Sequence, residues 1–472
     1  MSNDPKKSQA NLDAALLALS LHRQPGISLQ AQLTQALRAL ILSDQARPGA
    51  RLPPSRALAA ELSVSRMTVQ IAYDQLLSEG YLTARQGSGT FVARDLPHLA
   101  PPPAPQAPAP MPPCPWPPFQ IGLPDQSLFT QRLWPRHLER AWARPDPGLL
   151  ARPDPLGWYP LRQAIADHLS AWRGLQCRAE QVVITSGARE AFETLIRALL
   201  PPHARIATED PGWPALRDVL TSTGSQAAPV RVDAGGFRPD AIPDQTAAVI
   251  VTPSRHHPTG AHMPLARRMA LLDWARESGG LIVEDDYDSE FRYKGTPLPA
   301  LSGLDGLQHT VYLGSFSKLL SPALRIGYMV LPEPHLPDII AQMQRSGPRA
   351  SLIPQPALAQ FMASGEFATH LRRMRRLYVR RQAHLLAALA PVGDLLTLAP
   401  DPAGMHLCLP LAGGMDDARI MARARAAGLG LSALSPHAVL PDPPRALLLG
   451  YAAHDEDTLT QAAATLTRIL RA

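Results

Sequence analysis

The 472-residue chain is poor in cysteine: it has only Cys114, Cys177 and Cys408, and they stand far apart. Such spacing makes neither a disulfide framework nor a thiolate metal site, and it suits a reducing compartment. Long hydrophobic runs are missing too. No stretch approaches the roughly 18 apolar residues that mark a membrane-spanning helix. The start, Met1-Ser-Asn-Asp-Pro-Lys-Lys, has no apolar secretion core. The expectation is a soluble, cytoplasmic protein with no membrane partner. No Gly-x-x-x-x-Gly-Lys-Ser/Thr loop occurs, which argues against an NTPase. His256-His257 lacks further ligands at suitable spacing, so no metal site is expected. The formal charge of +6 permits a polyanionic partner without demanding one.

Proline, by contrast, is concentrated. Residues 97–118 hold 12 prolines. Such a segment cannot enter a helix or a sheet interior and reads as an extended, semi-stiff tether. It divides the chain into a leader (1–27), a small domain (28–94), a linker (95–118) and a large domain (119–472). A smaller lobe is expected from about residue 347.

In the small domain, Leu29, Leu33, Leu37, Ile41 and Leu42 recur at helical spacing between Ser28 and Ser43. Ser55 is placed to cap a second helix, Arg56 to Leu62, and Ser65 a third, Arg66 to Glu79, which Gly80 stops. Tyr81–Arg85 and Thr90–Ala93 read as strands joined by a glycine-containing tip, Gln86-Gly-Ser-Gly89. Two helices across a three-residue turn, then a hairpin, make a winged helix-turn-helix. The third helix would enter a DNA major groove by its first turns, which carry Arg66, Thr68 and Gln70. Arg56 and Arg85 flank it, and Ser65, Thr68 and the wing glycines allow close approach to phosphate. Charge alone also fits a small domain with solvated arginines, since residues 45–95 hold six Arg against four acids.

The wording of the stretch is more specific. Arg51-Leu-Pro-Pro-Ser-Arg-x-Leu-Ala-x-x-Leu-x-Val-Ser-Arg-x-Thr-Val, then Glu-Gly-Tyr-Leu and Gly-Ser-Gly-Thr-Phe-Val, closely resembles the GntR family of winged-helix repressors over about residues 28–93. The resemblance implies DNA contacts at Arg56, Arg66 and Thr68, with Gln86 and Gly87 at the wing. Gln70 stands where many GntR proteins carry arginine, which leaves base preference there open.

From Phe119 onward, apolar strands alternate with helical patterns such as Arg189–Leu200 and Leu265–Ser278. The strand candidates are Val182–Thr185, Arg205–Thr208, Ala247–Thr252, Gly280–Glu284, Val311–Gly314 and Gly327–Leu331. Alternation of this kind implies a mostly parallel sheet covered on both faces, with ligand at the carboxyl ends of the strands.

Those ends carry suggestive residues. Thr185-Ser-Gly187-Ala-Arg189 opens a helix and offers a phosphate turn, or simply a strand–helix connection. Trp213 is able to stack on a flat heterocycle, or to serve as core. In Glu284-Asp285-Asp286-Tyr287 a carboxylate is able to meet a pyridinium nitrogen and Tyr287 a ring oxygen; a solvated turn or a magnesium-type pair also fits. In Gly314-Ser315-Phe-Ser317-Lys318, a lysine ends a strand among hydroxyls, and Arg325 follows seven residues on. A lysine nucleophile needs a dry, cationic setting, and a phosphate needs an arginine with nearby donors. Both needs are met within twelve residues. This is the layout of a lysine holding pyridoxal phosphate (PLP) as a Schiff base, although Ser-x-Ser-Lys alone also fits a surface lysine.

The order of these signals resembles the fold type I, aspartate aminotransferase-like PLP enzymes from about Phe119 to the C-terminus. With its GntR head, Asp154-Pro-x-Gly, Thr252-Pro-Ser, Pro258-Thr-Gly and Glu284-Asp-Asp-Tyr-Asp-Ser-Glu-Phe-Arg-Tyr, nearly the whole chain resembles the MocR/GabR/PdxR regulators. The resemblance implies a multi-domain α/β architecture: a winged helix-turn-helix joined to an aminotransferase-like domain. It makes Lys318 the Schiff-base lysine, Asp285 the ring-nitrogen partner and Tyr287 the ring-oxygen partner. Ser186, Gly187, Ala188, Ser315 and Arg325 would surround the phosphate, Ser317 would belong to the cofactor site, and Trp213 would stack on the ring. It further implies a homodimer in which the head of one chain lies near the body of the other.

Three departures stand out. His257 replaces the usual Asn before Pro-Thr-Gly. Ala151-Arg152-Pro153 replaces a partner-subunit tyrosine, with Arg152 a candidate for its phosphate contact. Leu448 stands where amino-acid-binding members carry a carboxylate-gripping arginine, leaving Arg445 as a substitute. An alkyl chain cannot replace a guanidinium fork. The expected function is a PLP-dependent, DNA-binding regulator that senses PLP itself or an amino compound, with little or no sustained turnover. The alternative is an active aminotransferase with an appended DNA-binding domain. A basic run at 370–384 reads as a solvated helix face, or as an auxiliary DNA surface.

Overall fold

The computed structural model describes residues 16, 19, 21, 27–43, 45–85, 88–96, 116–129, 133–150, 154–295 and 299–472. They form two compact units, Met1–Pro112 and Pro113–Ala472.

The first unit has helices α1 (Leu29–Leu42), α2 (Ser55–Glu61) and α3 (Arg66–Ser78), then a hairpin of β1 (Leu82–Arg85) and β2 (Gly89–Val92). Leu33 and Leu37 of α1, Leu58 of α2 and Val69 and Leu76 of α3 meet in one apolar cluster that Val92 closes from the hairpin. Ser65 caps α3, its hydroxyl accepting the Thr68 N–H at 3.1 Å. Ser55 does not cap α2. The residue before that helix is Pro54, whose carbonyl accepts the N–H groups of Ala57 and Leu58. Proline holds its backbone near the angle needed there, so the helix starts one residue early with Ser55 inside its first turn. The Ser55 hydroxyl instead faces Arg66 Nε at 3.4 Å. Removing the working cap has a defined expected effect. Ser65→Ala should destabilise α3 by about 1 kcal/mol. In the full chain, that reads as amide hydrogen exchange through α3 faster by about fivefold.

The second unit is built on a seven-stranded sheet of β3 (Val182–Thr185), β4 (Arg205–Asp210), β5 (Gln226–Arg231), β6 (Thr246–Val251), β7 (Leu281–Asp286), β8 (Thr310–Ser315) and β9 (Gly327–Val330). Its order is β3-β9-β8-β7-β6-β4-β5. Only β9 runs against its neighbours. The strands are apolar on both faces because both faces are covered. Val183, Val311 and Leu313 join one core cluster, while Val182, Ile184 and Tyr312 join another. β5 has no counterpart among the expected strands. Gln226-Ala-Ala-Pro-Val-Arg neither alternates nor forms an apolar run, and Pro229 is tolerated because β5 lies at the sheet's edge.

From Pro354 onward, helices Pro354–Ala363, Glu366–Ala388, Asp417–Ala426 and Glu456–Arg471 accompany a three-stranded antiparallel sheet. That sheet comprises β10 (His406–Pro410), β11 (Ser432–Ala433) and β12 (Ala446–Gly450), in the order β10-β12-β11. The end of the proline-rich stretch docks here: Gly430 N–H donates to Pro118 O at 2.7 Å and Gly450 N–H to Phe119 O at 2.9 Å. In the basic helix Glu366–Ala388, Leu371, Met374 and Tyr378 are buried, Arg372 and Arg376 face solvent, and Arg380 pairs with Glu456 at 2.8 Å. Among the described residues, no helix is long and apolar enough to cross a membrane.

Candidate cofactor site and DNA-binding surface

Strand register gathers the site. Thr185 of β3 and Ser315 of β8 both sit opposite Gly327 of β9, and Asp286 of β7 sits opposite Gly314. The carboxyl ends of the parallel strands therefore share one edge, where a cavity of about 500 Å³ opens.

Lys318, Asp285 and Tyr287 all line this cavity. Lys318 Nζ donates to Gly122 O at 2.9 Å. Burial lowers the amine's affinity for its proton, and Asp288 and Asp285 oppose that shift. Gly122 has φ +77°, and a Cβ there would stand 2.7 Å from Lys318 Nζ, so the close approach requires glycine.

Side-chain alternation along β7 separates its three acids. Glu284 and Asp286 turn away from the cavity. Glu284 accepts the Leu301 and Ser302 N–H groups at 2.9 and 2.8 Å. Asp286 takes Tyr312 Oη at 2.7 Å and Arg173 Nε at 2.9 Å. Asp285 alone of the three faces the cavity. Its carboxyl is pushed up to about 7, first by burial and then by Asp286, with Lys318 acting the other way.

Trp213 and Phe192 form an aromatic wall, their ring centroids 6.3 Å apart. His257 adds an imidazole, edge-on to Tyr287 at 5.5 Å and near His406 and His437 at 5.9 and 5.8 Å. Burial and the neighbouring imidazoles hold His257 well below the usual range, so it is neutral. Glu209, pushed up to about 8 mainly by burial, accepts Thr252 N–H and Oγ1–H at 3.0 and 2.6 Å. Thr252 Oγ1 in turn accepts the His257 N–H at 3.0 Å, which fixes the loop carrying that imidazole.

In the head, Arg56, Ser65, Arg66, Gln70 and Arg85 are exposed and Thr68 is half-buried. Arg66 and Gln70 border a cleft of about 220 Å³ shared with Ser55 and with Gly89 of the hairpin. Helix α3 and the hairpin thus share one cleft. Arg85 stacks over Phe91 at 5.1 Å.

Comparison with known proteins matches residues 29–92 to the bacterial regulatory proteins of the gntR family and residues 136–466 to aminotransferase class I and II. The pyridoxine biosynthesis transcriptional regulator PdxR of Corynebacterium glutamicum is 35% identical, over 94% of this chain and 96% of its own. The regulatory protein MocR of Rhizobium meliloti is 36% identical over 94% of each. The chain belongs to the MocR/PdxR-type transcriptional regulators. Among solved structures, the α-aminoadipate aminotransferase LysN of Thermus thermophilus is 26% identical with a TM-score of 0.68, covering 75% of this chain and 91% of that one. An archaeal alanine:glyoxylate aminotransferase shares the fold at a TM-score of 0.69 and 22% identity, over 75% of this chain and 91% of its own.

Members of this MocR/PdxR-type group carry an aminotransferase-like domain of a PLP-dependent family, and GntR-type heads bind DNA operators. The residues of the cavity fit such a cofactor at its ring. A buried amine, one outward carboxylate, a phenol and an indole wall border a single void of suitable size. The phosphate end is less gathered. Ala188 lines the cavity, while Ser186, Gly187, Ser315, Ser317 and Arg325 do not. Ser186 N–H already donates to Glu190 at 2.6 Å. Arg325 is exposed, with φ +51°. Arg445 is exposed too and donates to Gly414 O at 2.7 Å, away from the cavity. Leu448 is buried in an apolar cluster with Leu434 and Ala446, against Ile121 and Cys408. Gln86, Gly87 and Arg152 lie outside the described residues.

Sequence reasoning missed Gly122, Arg255, His406 and His437 as neighbours of the site. Gly122, His406 and His437 come from distant parts of the chain. Arg255 lies between the motifs Thr252-Pro-Ser and Pro258-Thr-Gly, where its charge was a usable signal.

Proposed function

We propose that this regulator couples PLP, held through Lys318, to the affinity of its winged helix for an operator. The observation that carries this reading is the convergence of Lys318, Asp285 and Tyr287 on one cavity in a chain with a DNA-binding head. Bound PLP would supply an electrophilic carbon that condenses with primary amines. Lys318 offers the amine, made available by burial. Asp285 holds the proton of the ring nitrogen. Tyr287 donates to the ring's phenolic oxygen, and Trp213 covers a ring face. Ser186, Gly187, Ala188, Ser315, Ser317 and Arg325 are assigned to the phosphate. Arg56, Arg66, Thr68 and Gln70, with Ser65, Arg85 and the wing residues Gln86 and Gly87, meet the DNA. Two copies pair, the head of one near the body of the other, in the cytoplasm.

The effector is PLP or an amino compound that displaces Lys318. Leu448 favours PLP, because it stands where the resemblance expects a carboxylate-gripping arginine in amino-acid-binding members, and it is buried in an apolar cluster. Likeness to the pyridoxine biosynthesis regulator PdxR and to the vitamin B6 salvage pathway repressor PtsJ of Salmonella typhimurium (29% identical over 80% of this chain and 85% of its own) points the same way. A ligand changes DNA binding only if it binds two domain arrangements unequally. The same lysine, aspartate and tyrosine also support a second reading, sustained transamination.

One experiment separates the two. The full-length protein is reconstituted with PLP, its absorbance recorded, and its affinity for DNA flanking its own gene measured with and without PLP. A lysine-bound PLP band together with a PLP-dependent change of about tenfold in operator affinity supports the regulator. Sustained turnover across a panel of amino donors would sink the regulator-only reading, and absence of the band would sink the cofactor assignment.

A further inference from the structure

Arg255 is the largest group near the site that the proposed function leaves unused. Its guanidinium is almost completely buried, with 1% of the side chain exposed. It donates through Nη1 to Tyr287 Oη at 3.0 Å and to Asp288 at 3.2 Å. It donates through Nε and Nη2 to Asp401 Oδ2 at 3.1 and 2.7 Å, and through Nη2 to His406 O at 2.9 Å. Space is cleared for it. A Cβ on Gly404 would stand 2.3 Å from Arg255 Cζ, and one on Gly260 would stand 2.6 Å from Asp401 Oδ2. Both glycines have positive φ, +88° and +80°.

Burying a guanidinium without compensation is costly, and here two carboxylates compensate it. A pair of aspartates would suffice for that. The bond to Tyr287 adds something chemical. Arginine has no acceptor, so Tyr287 Oη must accept in this contact, and its own hydrogen is left to point elsewhere. Tyr287 lines the cavity that holds Lys318. Asp401 lies shortly before β10 and His406 is its first residue, so one side chain bridges the ring-oxygen partner and the smaller sheet.

We propose that Arg255 is a positioning residue that fixes Tyr287 as a hydrogen-bond donor into the cavity and ties that donor to the Asp401–His406 segment. The proposal rests on the cavity being the PLP site. Arg255 touches no cofactor itself and acts through Tyr287. A donor lost from the ring oxygen changes both the affinity for PLP and the wavelength of its bound band; a support that merely holds the fold changes neither in step with Tyr287.

The test is a double-mutant cycle on the full-length, PLP-reconstituted protein: wild type, Tyr287→Phe, Arg255→Gln and the double variant, with PLP affinity, absorbance maximum and far-ultraviolet circular dichroism recorded for each. Each single variant should bind PLP about tenfold more weakly. Both should displace the maximum in the same direction. The double should stay near tenfold rather than about a hundredfold, because both changes remove one interaction. Arg255→Lys, which keeps a cation between the aspartates, replaces the glutamine arm if that variant does not fold; losing the planar fork should still displace the maximum. A wild-type maximum in a folded Arg255 variant, or losses that multiply in the double, overturns the proposal. No band in the wild type overturns the cofactor reading and this proposal with it, whereas a wild-type band with a multiplying cycle overturns only the role of Arg255.

Discussion

Lys318→Ala should abolish the lysine-bound PLP band completely and make operator affinity indifferent to PLP, while operator binding itself persists. The chain has four lysines, and in the second unit only Lys294 and Lys318 are available; Lys318 alone lines the cavity. Among the described residues no second lysine lines the cavity. Its setting also matters for rate. An ordinary lysine near pH 8 is uncharged in roughly one molecule in 250. Burial shifts Lys318 toward the neutral, nucleophilic form, against the pull of Asp288 and Asp285. The wild-type band should therefore form readily at neutral pH. Absorbance spectroscopy during PLP titration checks the first claim, and fluorescence anisotropy on labelled operator DNA checks the second. A band retained in Lys318→Ala would place the attachment elsewhere. The head should be unaffected because its core, Leu33 to Val92, forms a cluster within its own unit.

The parts of this molecule legible in the sequence are those with a local physical cause. Apolar runs marked six strands because a sheet covered on both faces has no polar side to show. β5 escaped notice because an edge strand can be polar and can hold Pro229. In the head, Ser65 was legible as a cap because capping involves only the next three residues, whereas Ser55 was displaced by the stiffness of Pro54. Within the candidate site, Lys318, Tyr287 and Trp213 stood out at strand ends, and the family resemblance singled out Asp285 among its acidic neighbours; all four line the cavity. The choice of Asp285 over Asp286 becomes a physical one only with the pleat of β7 in view, which turns Asp286 toward Arg173 and Tyr312. His406, His437 and Gly122 reach the site through tertiary packing and left no local pattern. Leu448 was recognised as an absence, and the structure buries it in an apolar cluster with Leu434 and Ala446.

Asp285→Asn should weaken PLP binding by roughly 10–100-fold, the range expected for one buried charge-assisted hydrogen bond. The same variant has a signature without cofactor. Asp285 titrates near 7 in the folded chain against an ordinary value of 3.8, chiefly because burial penalises the carboxylate. A raised carboxyl pKa means that the folded state holds a proton the unfolded state has released. Asp285 therefore contributes stability below an unfolded value near 3.8 and loses that contribution as pH rises through about 7. Asparagine does not titrate. Apo Asp285→Asn should thus lose less of its melting temperature than wild type as pH is raised from about 4 to about 7.5. Glu209 and Asp288 carry shifts of the same sign, to about 8 and about 7, so wild type and variant should both lose stability over this range. Only the difference between them reports Asp285. Differential scanning calorimetry of the two apo proteins gives that difference. Parallel pH profiles would remove Asp285 from the buried set. With PLP present the ring nitrogen needs the ionised carboxylate, so the gain in melting temperature from PLP should grow more steeply with pH in the wild type than in Asp285→Asn, where only the Lys318 amine contributes.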